Sequence, residues 1–189
     1  MLEVEAKFPL PTSIDMEARL IAVGAVQVAD HAEVDRYLNA PDRDYARTDE
    51  ALRLRSIGEK NFLTYKGPRR DASSKTRTEA EVACSPGLEA AEAFLNLFRH
   101  LGYRPTATVR KRRKSFEWHR DNFTLHACLD DVEGVGQFIE LEIVAEESDY
   151  DAARETVLRV AKEFELGPTE TRSYLEQLLG HTVMPGGER

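Results

Sequence analysis

Three predicted strands of this chain of 189 residues contain two glutamates separated by a single residue, each in a segment where charged and apolar residues alternate. The pairs are Glu3 with Glu5, Glu79 with Glu81, and Glu140 with Glu142. Alternation with a period of two is typical of a β-strand, in which residues two apart project from the same face. Each pair therefore places two carboxylates side by side on one face of a strand.

Basic residues occupy the charged face of several further predicted strands. Arg53 and Arg55 share one strand, and Lys66 and Arg77 lie on the next two. If these groups converge, their mutual repulsion requires a polyanion between them, and guanidinium groups match phosphate oxygens in geometry. The pattern therefore indicates a ligand with several phosphate groups.

The strand that contains the run VRKRRK has basic residues on both of its faces. Phe116 and Trp118 share a face with Arg110, which favours that face as the apolar one. Lys111 and Arg113 are thus favoured as the pair on the charged face, although alternation alone leaves this choice open.

Carboxylates on a phosphate-binding face would repel the ligand unless a divalent cation lay between them. Asp35 and Asp130 join the glutamate pairs on this face. Mg²⁺ or Mn²⁺, bound by one or two carboxylates and by phosphate oxygens, is the usual arrangement. This combination suits phosphoryl or nucleotidyl transfer from a triphosphate, where catalysis is mainly positioning and charge neutralisation. The chain contains neither a Walker A loop nor a GxGxxG motif, which excludes those phosphate-binding routes.

Three other interpretations carry less weight. A single alternating strand is usually a solvated sheet face, and only the agreement among several strands argues otherwise. His126 shares a face with Asp130, but we expect it to be structural. The basic run at residues 110–114 could bind nucleic acid, yet the net charge of −8 argues against a nucleic-acid surface.

Two copies of one unit are predicted to position these residues. Each copy is a strand with a glutamate pair, an amphipathic helix that ends at Gly24 or Gly102, and three more strands. Strands 1–4 and 5–8 are therefore expected to form the two halves of one sheet. The predicted strands begin at residue 2 and then cover residues 26–39, 51–57, 61–67, 75–84, 106–119, 122–132 and 137–145.

Amphipathic helices need an apolar sheet face, and each strand offers only the face opposite its charges. We therefore expect an α+β protein in which eight mostly antiparallel strands carry helices on their apolar side. The first helix is expected to begin at Thr12 or Ser13 and to bury Ile14, Ala18 and Ile21. These patterns leave open whether the sheet closes around the charged face or stays open with that face in water.

Composition fits one globular domain, with 41% hydrophobic and 32% charged residues. No run approaches the roughly 18 apolar residues of a membrane span, and the N-terminus lacks the order of a signal peptide. We expect a cytoplasmic protein with neither membrane nor nucleic acid as a partner. Residues 1–180 are assigned to the domain and 181–189 to a flexible C-terminal tail, and a homodimer is left open.

Several motifs together resemble the CYTH superfamily over residues 2 to about 179. They are EVEAKF, DRYLN, LRLR, LTYKGP, RTEAEV, VRKRR, LDDVEGVGQFIELE and SYLEQLL. The ExExK motif at Glu3, Glu5 and Lys7 is weak alone but specific when joined to the LDDVEGVGQFIELE run. That run and the SYLEQLL ending look most like the class IV adenylyl cyclase (CyaB-like) branch.

The resemblance implies an eight-stranded antiparallel β-barrel, the triphosphate tunnel fold, which acts on triphosphates with Mg²⁺ or Mn²⁺. It implies metal binding by Glu3, Glu5, Asp130, Glu140 and Glu142. It implies phosphate binding by Lys7, Arg53, Arg55, Lys66, Arg77, Lys111 and Arg113. The implied catalytic residues are Asp130 and the pair Tyr37 and Lys66, which is similar to a pair that could activate water.

The family divides by reaction. Class IV adenylyl cyclases convert ATP to cyclic AMP and pyrophosphate, whereas thiamine and inorganic triphosphatases hydrolyse a terminal phosphate. We expect the cyclase reaction, with a triphosphatase as the alternative and a non-catalytic nucleotide or polyphosphate binder as the second alternative. Ala51 stands where thiamine triphosphatases of the vertebrate type look to place a ring-stacking aromatic residue, which argues against thiamine triphosphate.

Overall fold

The computed structural model describes residues 2–69 and 77–182, with all of their side chains except those of Arg69, Arg77, His181 and Thr182. Within these ranges eight strands form one sheet: β1 (Leu2–Leu10), β2 (Val26–Asn39), β3 (Ala51–Ile57), β4 (Lys60–Arg69), β5 (Arg77–Cys84), β6 (Arg104–Arg120), β7 (Phe123–Val132) and β8 (Gly136–Ala145). The helices are α1 (Met16–Ala22), α2 (Tyr45–Thr48), α3 (Leu88–His100), α4 (Tyr150–Glu163) and α5 (Tyr174–Thr182), and a 3₁₀ turn at Glu147–Asp149 precedes α4.

The strand order in the sheet is β1-β8-β7-β6-β2-β3-β4-β5. Every neighbouring pair whose register is described is antiparallel. The predicted α+β class with an eight-stranded antiparallel sheet is therefore confirmed. None of the helices in the described ranges is both long and apolar enough to cross a bilayer.

The described residues form two compact units. Unit 1 contains the residues up to His31 and those from Lys111 onward, and unit 2 is Ala32–Arg110. In unit 1, Leu141 and Ile143 of β8 are fully buried and pack in one cluster with Leu20 of α1 and Val160 of α4. This cluster is the larger hydrophobic core.

Unit 2 has its own core beneath α3. Leu38 of β2 and Leu52 and Leu54 of β3 are buried with Ala91 and Leu95 of α3, which are four residues apart and share one helix face. The apolar stripe of α3 therefore packs on the sheet as its spacing predicts.

In both units the helices cover the face opposite the charged residues. Along β8, Leu141 and Ile143 point into the core, and the glutamates at 140 and 142 alternate with them. Along β3, Leu52 and Leu54 point into the core of unit 2, and Arg53 and Arg55 alternate with them. The prediction that helices pack on the apolar sheet face is confirmed.

Helix α1 starts later than predicted and buries a different face. Asp15 caps it, because its Oδ1 accepts a hydrogen bond at 3.0 Å from the backbone N–H three residues on. The expected cap at residues 12–13 is therefore wrong. Met16 and Leu20, four residues apart, form the buried stripe, whereas Ile21 is 59% exposed, so the expected burial of Ile21 is wrong as well.

Other boundaries differ by smaller amounts. Helix α2 was not predicted; Asp44 caps it, and the Asn39 side chain accepts a hydrogen bond from the Tyr45 backbone N–H at 2.8 Å. Residues 75–76 of the predicted fifth strand lie outside the described residues. Helix α5 continues to Thr182, two residues into the segment assigned to the tail, and residues 183–189 are also outside the described part.

The strand order reproduces the sequence repeat in an unexpected way. Exchanging β1 with β5, β2 with β6, β3 with β7 and β4 with β8 reverses the order and leaves it otherwise unchanged. However, β1 pairs with β8 and β5 pairs with β4, so the expected halves 1–4 and 5–8 are wrong. A helix follows the first strand of each copy. Short turns join β3 to β4, β6 to β7 and β7 to β8 as hairpins, and a longer connection that contains α2 joins β2 to β3.

Candidate active site

Four strands of unit 1 carry charged residues in matching register. The pairs are Glu5 with Glu142, Lys7 with Glu140, and Arg113 with Asp130. Side chains directly opposite each other on neighbouring strands are close enough to interact. The register therefore gathers, on one face of unit 1, residues that are far apart in the sequence.

Strand β6 is the one for which alternation leaves open which face carries the site residues. Lys111 and Arg113 lie on the charged face, where both contact Asp130. Arg112 projects to the opposite side, is 67% exposed and forms an ion pair with Asp30 at 2.9 Å. The structure thus places the favoured pair with the other candidate site residues.

Asp130 is the centre of this cluster. Its Oδ1 accepts a hydrogen bond from Arg113 Nε at 2.7 Å. Its Oδ2 accepts from Arg113 Nη2 at 2.5 Å, from Lys111 Nζ at 3.0 Å and from the Tyr174 hydroxyl at 2.9 Å. The side chain is fully buried, which alone would raise its pKa, but the Arg113 hydrogen bonds and the Lys111 charge prevail and lower the pKa to about 2.

Lys7 lies in a pocket formed by the C-terminal segment. The residue is only 3% exposed, and its ammonium group donates a hydrogen bond to the Arg172 carbonyl oxygen at 2.5 Å. The ammonium lies 4.2 Å from the centroid of the Tyr174 ring and 5.8 Å from that of Phe138. Burial and the negative charges of Glu140 and Asp130 raise the pKa of Tyr174 far above its usual range, so its hydroxyl stays a donor.

The four glutamates of β1 and β8 form an electrostatically strained group. Burial, followed by the negative charges of Glu5 and Glu140, raises the pKa of Glu142, while a hydrogen bond with Glu3 acts in the opposite direction. Glu140 also accepts a short hydrogen bond from Arg113. Like charges gathered in a half-buried place are stabilised by a cation.

This donor set fits a hard divalent cation in its chemistry. Carboxylate oxygens are the preferred ligands of Mg²⁺ and Mn²⁺, and the mutual repulsion around Glu142 is what such an ion would relieve. Glu3, Glu5, Glu140 and Glu142 are the residues that would hold it. As the side chains stand, no three His, Cys, Asp or Glu residues in the described ranges converge closely enough to form a metal site.

A second charged cluster lies within unit 2. Arg55 donates two hydrogen bonds to Asp35, each at 2.7 Å, and its Nη1 is 3.1 Å from a carboxylate oxygen of Glu33. Arg53 Nη1 is 3.6 Å from Asp35, and Arg53 Nη2 donates to the Thr64 hydroxyl at 3.2 Å. Unit 2 thus holds the buried guanidinium of Arg53 and the half-buried guanidinium of Arg55 against two buried carboxylates.

The remaining predicted residues of unit 2 lie on neighbouring strands. Tyr37 is opposite Arg53 on β3, and burial together with the charge of Asp35 raises the pKa of its hydroxyl. Lys66 on β4 forms an ion pair with Glu79 on β5 at 3.0 Å. Strand β3 lies between Tyr37 and Lys66. Arg77 begins β5, and its side chain lies outside the described residues.

Three contributors to these clusters were not among the predicted site residues. Glu33 and Thr64 lie two residues from Asp35 and Lys66, so the same alternation could have identified them. Tyr174 could not be found this way, because it comes from a helix and reaches the cluster only through the tertiary fold.

A family model described as the CYTH domain matches residues 1–174, which include every residue of both clusters. The chain belongs to the CYTH family. A protein of Methanocaldococcus jannaschii, named as a candidate adenylate cyclase, is 34% identical over 179 residues, which are 93% of this chain and 98% of that protein. Adenylate cyclase CyaB of Aeromonas hydrophila is 29% identical over 187 residues, covering 91% of this chain and 86% of that protein.

The PH1819 protein from Pyrococcus horikoshii has a similar solved structure, with a TM-score of 0.77 and 34% identity over 95% of this chain and 99% of that one. The resemblance to the CYTH superfamily and its CyaB-like branch is therefore confirmed. Enzymes of the CYTH family act on triphosphates and use divalent metals.

Proposed function

We propose that this CYTH-family chain is a class IV adenylyl cyclase that converts ATP to cyclic AMP and pyrophosphate with Mg²⁺ or Mn²⁺. The observation that carries the proposal is the basic group of unit 1, which consists of the buried Lys7 and Lys111 and the half-buried Arg113, beside the glutamates of β1 and β8. The two relatives that match nearly the whole chain and carry adenylate cyclase names support the choice of reaction.

The basic group suits a phosphate ligand rather than a carboxylate metabolite of low charge. The side chain of Lys111 is 2% exposed, and Arg113 presents a planar guanidinium that can bind two oxygens at once. Burying several like charges is costly unless anions lie among them, and the oxygens of a triphosphate are anions that these donors can bind.

The glutamates are proposed as the metal ligands, with Glu3, Glu5, Glu140 and Glu142 on β1 and β8 and Asp130 nearby on β7. A divalent cation bound there would offset phosphate charge and lower the pKa of the ribose 3′-hydroxyl. Asp130 already accepts hydrogen bonds from Lys111, Arg113 and Tyr174, so its main contribution is to hold these donors in place.

In the proposed reaction the ribose 3′-oxygen attacks the α-phosphorus. A bond forms between these two atoms, the bond from the α-phosphorus to the bridging oxygen breaks, and the 3′-hydroxyl loses its proton to solvent water. Pyrophosphate leaves with the electrons of the broken bond. Lys7, Lys111 and Arg113 are proposed to donate hydrogen bonds to its oxygens as their charge grows, which is where preorganised donors lower a barrier most.

For unit 2 we propose phosphate binding by Arg53, Arg55, Lys66 and Arg77 as a separate claim. Tyr37 is proposed as a catalytic residue together with Lys66. Because its pKa is raised, the Tyr37 hydroxyl would be protonated at neutral pH and would donate a hydrogen bond rather than accept a proton.

Hydrolysis of a terminal phosphate is the second candidate reaction. It is favoured by the types of residue gathered in unit 1, since amines, a guanidinium and carboxylates serve phosphate and metal binding in either reaction. A triphosphatase would use the same groups to neutralise the transferred phosphoryl while water attacks.

The test is an assay of the purified full chain with Mg²⁺ or Mn²⁺ and, separately, ATP, tripolyphosphate and thiamine triphosphate. We expect cyclic AMP and pyrophosphate in equal amounts from ATP. Lys111→Met should lower this turnover at least about tenfold, a loss of about 1.4 kcal/mol in transition-state stabilisation. The matched control is Lys114→Met on the other face of β6, where Lys114 forms an ion pair with Glu17. Release of phosphate without cyclic AMP would overturn the cyclase assignment in favour of a triphosphatase. Binding of a triphosphate without turnover would show that the protein is a non-catalytic binder.

A further inference from the structure

Tyr174 connects the C-terminal segment to the basic group of unit 1. It is the first residue of α5 and is buried among charged residues rather than in an apolar core. Its ring packs against Phe138 of β8, with centroids 5.1 Å apart. Contact with the sheet therefore holds the ring of Tyr174 in place without a bound ligand.

The face of the Tyr174 ring contacts two ammonium groups. Lys7 Nζ lies 4.2 Å and Lys111 Nζ lies 5.3 Å from its centroid. Both distances are within the range in which a cation is attracted to the negative face of an aromatic ring. One ring thus holds both lysines of the basic group.

The hydroxyl of Tyr174 acts on the same group from its other end. It donates to Asp130 Oδ2 at 2.9 Å, the oxygen that also accepts from Lys111 Nζ. Ring and hydroxyl together link Lys7, Lys111 and Asp130 in one arrangement. Tyr174 itself takes no part in the proposed reaction step, so its effect is on the geometry of the two lysines.

The chain just before α5 holds Lys7 in a second way. The Glu170 backbone N–H donates to the Lys7 carbonyl at 2.7 Å, and the Lys7 ammonium donates to the Arg172 carbonyl at 2.5 Å. Gln177 of α5 is 4% exposed and donates to the same Arg172 carbonyl at 3.4 Å. The position of the Lys7 ammonium is therefore set by residues more than 160 positions away in the sequence.

We propose that Tyr174 is a positioning residue that pre-orients the Lys7 and Lys111 ammonium groups for phosphate. This inference rests on the proposed function, because it assigns a role within the same basic group. A lysine side chain that is already ordered loses less conformational freedom when it binds an anion. The affinity of the protein for a polyphosphate therefore depends on the ring at position 174 although that ring does not contact the ligand.

The test measures tripolyphosphate binding to the full chain by calorimetry, with and without Mn²⁺. Tyr174→Met fills most of the space with an apolar side chain but removes the ring, and should raise the Kd at least about tenfold. Tyr174→Phe keeps the ring face and should stay within about threefold of the unmodified protein. Tyr150→Phe is the matched control, since Tyr150 packs against the core of unit 1 and should change nothing.

A double-mutant cycle separates positioning from simple packing. In a Lys7→Gln, Lys111→Gln background, Tyr174→Met should change the Kd less than about threefold, because the amines on which the ring acts are gone. An undiminished tenfold loss in that background would mean that Tyr174 is only a packing residue, which overturns the proposal. If Tyr174→Met fails to fold by circular dichroism, pentafluorophenylalanine at 174 replaces it, and an unchanged Kd relative to Tyr174→Phe overturns the proposal equally.

The proposed function fails separately. If the unmodified chain neither binds tripolyphosphate nor turns over any triphosphate, the assignment of the basic group is wrong whatever Tyr174 does. If the unmodified chain binds and Tyr174→Met binds equally well, only the role of Tyr174 is wrong.

Discussion

Arg113 binds Asp130 through two donors on one edge of its guanidinium, Nε to Oδ1 at 2.7 Å and Nη2 to Oδ2 at 2.5 Å. The carboxylate is fully buried and also accepts from Lys111. A planar pair of this kind fixes the guanidinium in orientation as well as in position. Asp130 therefore determines where two of the proposed phosphate-binding side chains stand.

Replacing Asp130 should lower the stability of the folded protein. Asp130→Asn removes the charge that compensates the buried Lys111 and the half-buried Arg113, so we expect the free energy of unfolding to fall by about 3 kcal/mol. Denaturation in urea measures this change. Asp131→Asn is the control because Asp131 is exposed on the same strand, and it should stay within about 0.5 kcal/mol. Equal effects of the two changes would contradict the buried ion-pair network.

Replacing Glu5 should separate stability from function. Glu5→Gln removes one of the charges that raise the pKa of Glu142. The free energy of unfolding of the metal-free protein should therefore stay equal or rise by up to about 1 kcal/mol. Metal-dependent turnover should fall at least about a hundredfold, and the thermal stabilisation by added Mn²⁺ should be lost. Glu133→Gln, at an exposed site, should keep both. Unfolding of Glu5→Gln would instead identify Glu5 as structural.

The ion pair between Arg43 and Glu50 should make unit 2 sensitive to acid. The Arg43 hydrogen bonds, with those from Thr48 and Tyr65, lower the pKa of Glu50 to about 2 from an ordinary value of 4.5. A depressed carboxyl pKa contributes stability that is complete above pH 4.5 and is lost as the pH falls toward 2. Denaturation between pH 6 and pH 2.5 should show this loss, and Glu50→Gln should have a shallower slope. An unchanged slope would contradict this assignment.

Neighbouring residues of α1 should differ sharply when truncated. Leu20→Ala leaves a cavity in the core of unit 1 and should lower the free energy of unfolding by about 3 kcal/mol. Ile21→Ala removes an exposed side chain and should change it by less than about 0.5 kcal/mol. Denaturation midpoints measure both. A larger loss for Ile21→Ala than for Leu20→Ala would contradict this structure and support the buried helix face that the sequence predicts.

Alternation along strands was enough to predict most of the charged clusters. It places Arg53, Arg55 and Asp35 on one face because the period of a strand is fixed at two. For β6, the large aromatics Phe116 and Trp118 identified the apolar side, and the structure buries both. These inferences depend on local geometry alone, which a sequence records directly.

What depended on tertiary contact could not be predicted. Helix α1 is only seven residues long, so its apolar periodicity was too short to locate the cap at Asp15. Tyr174 enters the unit 1 cluster from a separate helix, and no periodicity relates a helix residue to a strand 44 positions away. The motif SYLEQLL indicates that this segment resembles the CYTH superfamily, but it does not indicate which residues the segment contacts.

The exchange of first strands has a consequence for the origin of the chain. Because β1 pairs with β8 and β5 pairs with β4, neither sequence repeat contains the hydrogen-bonding partner of its own first strand. A single ancestral repeat could have formed the same pairings only by lending that strand to a second, identical molecule. The present order matches that of a strand-swapped homodimer whose two chains have been joined, and the two copies now differ two residues after the glutamate pair, with Lys7 in the first and Ala83 in the second.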